Sequence, residues 1–144
     1  PPRTPFPSSG VAVSSLRDDV KGRIDAIEES YEFFLAFAAQ GLTSDQGSKS
    51  GGQLRIFLGK SEAALDGLAS ALRGLVAEAS LEPATTWAEV LDVVERDASD
   101  TLSALRLVAA QSSVSSQLID NLNANIHFRA LLTDLFLVDE LIGA

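Results

Sequence analysis

Few residues in this sequence combine the type and the spacing that chemistry demands. Leu58-Gly59-Lys60-Ser61 looks like the tail of a phosphate-binding loop. That chemistry needs G-x-x-x-x-G-K-[ST] after a strand, so that loop amides and a helix N-terminus converge on phosphate. Five residues before Gly59 stands Leu54, and a leucine pattern surrounds it, so the segment reads as helix interior. His127 is the single histidine. Carboxylate-bridged di-iron bundles require Glu-x-x-His on two helices, and the residue three before His127 is Ala124. Structural zinc would have to rely on carboxylates, which suit it poorly; one histidine would suffice only as an axial haem ligand. Serines are plentiful, but no Gly-x-Ser-x-Gly elbow occurs to expose a nucleophile beside an oxyanion hole. Glu28 with Glu32, and Asp92 with Glu95, fall on outward helix faces and read as solvated charge. The residues therefore predict no catalytic site, no metal site and no cofactor.

Composition narrows the classes further. With 144 residues the chain can bury a sizeable core. Twenty acidic against 11 basic residues give a formal charge of −9. A nucleic-acid binder needs a basic face, so this balance argues against nucleic acid and against anionic membranes. Absence of cysteine removes disulfides and thiolate chemistry and suits a reducing compartment. No basic-then-apolar leader opens the sequence, and the longest apolar run carries Arg129, Asp134, Asp139 and Glu140. Cytoplasmic residence without membrane insertion is the expectation.

The elements that position these residues read as all-α. Residues 1–13 hold four of the five prolines and predict an extended, Pro/Ser-rich arm, followed by one helical-bundle domain over 14–144. From a start signal at Ser15, Leu16, Val20, Ile24, Ile27, Tyr31 and Phe34 recur at helical spacing, and Gly41 stops the run. A second helix is predicted from Ser50, with leucines from Leu54 to Leu75 on one face. Opposite them Gly59, Ala63, Gly67 and Gly74 line a small-residue stripe, a candidate seam for close helix approach. Thr86-Trp87-Ala88-Glu89 signals the third helix. Residues 111–117 read as a connection, and a fourth helix runs from Gln117 to the end. The expectation is a four-helix up-and-down antiparallel bundle; the alternative fuses the last two helices into one long rod.

The C-terminal stretch Ile126–Ile142 does not keep its apolar residues in one stripe. Phe128, Leu131, Leu132, Leu135, Phe136, Leu137, Val138, Leu141 and Ile142 point nearly all round the helix at 100° per residue. Phe33 and Phe37 likewise lie off the stripe of the first helix. Such surplus predicts coverage by a second chain, with Phe33, Phe37, Phe128, Arg129, Leu131, Leu135, Phe136 and Val138 as the contact surface. Asn125 and Arg129 fall near the packing stripe of the fourth helix; either Arg129 pairs with a carboxylate across the interface or the bundle, or the helix rotates locally and both residues reach water. The functional expectation is a non-catalytic scaffold, adaptor or assembly subunit that forms a homodimer or higher oligomer and contacts another protein. The alternative is a carrier or sensor of a hydrophobic ligand held within the bundle.

Overall fold

A computed structural model describes residues 9–143; the first eight residues, most of the expected Pro-rich arm, lie outside the described residues. The described chain is all-helical: α1 (Ser9–Ala39), α2 (Lys49–Leu65), α3 (Leu68–Glu78), α4 (Ala84–Ala109), α5 (Ser116–Ala124) and α6 (Ile126–Gly143). Helix α1 begins at Ser9 rather than Ser15, just beyond the last of the clustered prolines, so residues 9–13 belong to it and not to the arm.

Two of the four anticipated helices are each broken in two. The first break is at Asp66–Gly67, where Gly67 adopts φ +84°, a left-handed conformation that glycine alone enters without steric cost. The carbonyls released there do not go unpaired. Arg23 of α1 donates to the carbonyls of Ala63, Ala64 and Asp66 at 3.4, 3.1 and 2.7 Å. The second break is at Asn125, whose Oδ1 accepts from the amides of His127 and Phe128 at 3.0 and 3.3 Å. Asn125 is therefore the cap that starts α6, not a polar residue on a continuous seam. Residues 111–115 are not helical, so α4 and α5 are separate elements and not one rod.

Caps also sit away from the predicted signals. Ser48, not Ser50, caps α2 by accepting from the amide of Gly51 at 2.9 Å. Helix α4 begins at Ala84, two residues before Thr86, and the Glu82 carboxylate takes up the Ala84 amide at 3.1 Å.

Helix α1 packs against α2, α3 and α5, while α4 packs against α2, α3 and α6. One core runs through all six helices. Its largest fully buried side chains include Phe34, Phe37, Phe128, Ile24, Ile27, Leu54, Leu72 and Leu105. Tyr31 and Phe34 of α1 meet Phe128 of α6 edge to face, with centroids 5.5 and 6.4 Å apart. Burying each such side chain stabilises the fold by roughly 1.5 to 3 kcal/mol. The aromatic cluster therefore clamps the start of α6 onto α1.

Candidate interaction surface on the C-terminal helix

The residues singled out for their chemistry fall into ordinary places. Gly59, Lys60 and Ser61 lie inside α2. Ser61 is buried and donates to the Leu58 carbonyl at 3.0 Å, and Lys60 pairs with Glu29 of α1 at 2.8 Å. No loop cradles a phosphate there. His127 is half-exposed on α6, with Nδ1 3.5 Å from Asp100 of α4. Asp92 and Glu95 are not simply solvated: both accept from Arg73 of α3 at 2.9 Å. Among the described residues no group of three or more metal-ligating side chains converges, and no helix is long and apolar enough to cross a membrane.

The expected contact residues divide sharply. Phe37, Phe128, Leu131, Leu135 and Val138 are fully buried within this chain's own core. Phe33 is half-buried and stacks on Phe57 of α2 at 4.5 Å. Phe136 and Arg129 are exposed. The small-residue seam also divides: Gly59 and Ala63 face open solvent, Gly67 sits in the helix break, and Gly74 approaches Leu16 of α1. As a continuous stripe on one helix it does not exist.

What remains on α6 is a second apolar surface, turned away from the core. Ile126 is 74% exposed, Phe136 and Leu137 57%, and Leu141 55%. Few large side chains elsewhere on the described chain are so open; the others include Ile56 on α2 and Leu107 on α4. Leu137 and Leu141 continue into a groove of about 320 Å³ between α6 and the start of α4. Leu81, Pro83, Trp87, Val90 and Val138 also line it. The groove wall carries a single charged side chain, Glu82.

The flanks of α6 are acidic where it touches its neighbours. Asp134 faces Asp97 of α4, and burial together with that second carboxyl pushes its pKa up to about 7. Its Oδ2 is buried with no hydrogen-bond partner. On the other flank Glu28 of α1 is raised by burial and next by Asp139 of α6, with Asp25 and Glu32 adding to the effect against Lys21. At both contacts the apolar core beneath holds α6 in place against the cost of bringing two acidic groups together. Hydrophobic periodicity could not have found these pairs, because each carboxyl reads as surface charge on its own helix.

A polar junction at the opposite end of the molecule also escaped the sequence pattern. Asp45, only 7% exposed, accepts from Arg55 Nε and from the Val114 amide, both at 2.7 Å. Burial alone would raise Asp45, but these hydrogen bonds and the Arg55 charge outweigh it and hold the carboxyl below its usual range. Arg55 continues to the carbonyls of Ala109 and Gln111 at 2.9 and 2.8 Å, closing the end of α4. Ser116 donates to the Phe37 carbonyl at 2.6 Å and accepts from the Leu42 amide at 2.9 Å. Every one of these bonds satisfies a loop or a helix end, which is structural work. No protein-family model matches this chain, and no curated protein or solved structure gives a significant match, so the outer surface of α6 has to be read on its own chemistry.

Proposed function

We propose that this is a non-catalytic helical protein that works through protein–protein contacts and associates with itself through the outer face of α6. One observation carries the reading: Ile126, Phe136, Leu137 and Leu141 stand more than half exposed on a single helix whose opposite face is already buried. Single exposed apolar residues are ordinary, whereas several on one helix mark a surface that something covers. The accompanying architecture is a four-segment up-and-down bundle in which α2 with α3, and α5 with α6, each form one broken leg. A cysteine-free, acidic chain suits a scaffold or assembly subunit in a reducing compartment such as the cytoplasm.

The test is absolute mass by light scattering after size-exclusion chromatography. The wild-type chain is expected at twice 15.2 kDa, and Leu137→Glu at 15.2 kDa with its helical circular dichroism intact. A wild-type monomer at every concentration tried would overturn the reading.

The groove beside Trp87 supports a second reading, an apolar small-molecule site. Trp87 is the only tryptophan, so its emission reports on that groove directly. A ligand bound there would shift or quench Trp87 emission saturably, and Val90→Phe would block it.

A further inference from the structure

We infer that a second copy of this chain docks on α6 antiparallel to it, across a two-fold axis beside Thr133. This rests on the self-association proposed above and adds the geometry of the contact. Along the outer face, Ile126, Ala130, Thr133, Leu137 and Leu141 follow one another at steps of four, three, four and four. At 100° per residue they occupy a sector of about 80°. The buried residues Phe128, Leu131, Leu135 and Val138 lie on the opposite side of the helix.

Four of the five stripe positions are placed symmetrically about one point. Ile126 and Leu141 are equidistant from the midpoint between Thr133 and Asp134, and so are Ala130 and Leu137. An antiparallel two-fold pairing therefore sets Ile126 against Leu141 of the second copy and the small Ala130 against the large Leu137. That is the self-complementarity an isologous contact requires.

Charge selects the same arrangement. Arg129 and Glu140 are exposed on one edge of the stripe, and neither forms an ion pair with another described residue. They lie about 16 Å apart along the helix at 1.5 Å per residue. Their midpoint falls within one residue of the apolar midpoint. In the antiparallel pairing both edges lie on the same side, so Arg129 of each copy meets Glu140 of the other. In a parallel two-fold pairing the same edge of each copy falls on opposite sides of the contact, so Arg129 and Glu140 would not meet. The other acids of α6 turn aside, Asp134 toward Asp97 of α4 and Asp139 toward Glu28 of α1. A chain with a net charge of −9 thus offers a second copy a strip whose edge is locally neutral and matched.

Because the chain has no cysteine, a single introduced thiol reports on position without background. On mild oxidation Thr133→Cys is expected to give a disulfide-linked dimer, whereas Thr85→Cys, exposed at the start of α4, is not. Arg129→Glu alone should weaken the dimer roughly tenfold, since both cross pairs turn repulsive. Arg129→Glu combined with Glu140→Arg should restore it. A wild-type dimer with neither Thr133 cross-linking nor charge-swap rescue would overturn this pairing and leave self-association standing. A wild-type monomer would overturn both.

Discussion

Asp45 is buried between two loops, and its carboxylate has a defined partner for each oxygen, Arg55 for one and the Val114 amide for the other. Asp45→Asn keeps the size but removes the charge that Arg55 leans on, while Arg55 also seals the end of α4. Breaking one partner of such a pair leaves the other poorly solvated, at a cost of about 2 to 4 kcal/mol. Chemical denaturation of the variant should show this loss with an unchanged helical spectrum. Asp134 acts in the opposite sense. Its folded pKa, near 7, lies above the unfolded value of an aspartate, so the folded state holds the proton more tightly. The associated stability is present at low pH and is lost as pH rises from about 4 to about 7. Asp134→Asn should therefore be more stable than wild type at pH 8, and its denaturation midpoint should change less between pH 5 and pH 8. Equal pH dependence in the two proteins would contradict that assignment. Neither carboxyl was legible in the sequence. Asp45 sits in TSDQGSKSGG, whose composition says only loop, and Asp134 sits in an apolar helix where an acid reads as its wet edge. Burial of both depends on partners distant in the chain.

At the scale of the elements, three arginines close three helix ends from a distance. Arg17 donates to the Ile142 carbonyl at the end of α6, Arg23 seals α2, and Arg55 seals α4. A guanidinium presents several donors in a fixed fork and complements the negative end of the helix dipole, so one side chain can replace a local C-cap. The periodic stripe of α1 was readable, and its Val20, Ile24, Ile27 and Phe34 are buried in the core. The breaks within the second and fourth expected helices were not, because the leucine spacing runs on through both. Gly67 appeared as one small residue of a seam, whereas its positive φ ends α2. Gly67→Ala should cost about 1 kcal/mol through that left-handed conformation. Gly51 is under a harder constraint, since a Cβ there would lie 1.7 Å from the Asp45 carbonyl oxygen. Gly51→Ala should therefore be the more damaging of the two in a thermal melt.

For the whole molecule, the apolar surplus of the C-terminal stretch resolves into two faces on one helix. Phe128, Leu131, Leu135 and Val138 bind α6 to the rest of the chain, and Ile126, Leu137 and Leu141 look outward. Counting apolar residues around the helix foretold both faces without dividing them, because only packing against α1 and α4 fixes which side is inward. The outward face is what the proposed function depends on. Its most direct test is the mass of the wild-type chain in solution beside that of Leu137→Glu. Twice 15.2 kDa is expected for the first and 15.2 kDa for the second, both with the same helical content. Equal masses for the two proteins, whether both monomeric or both dimeric, would contradict the proposed function.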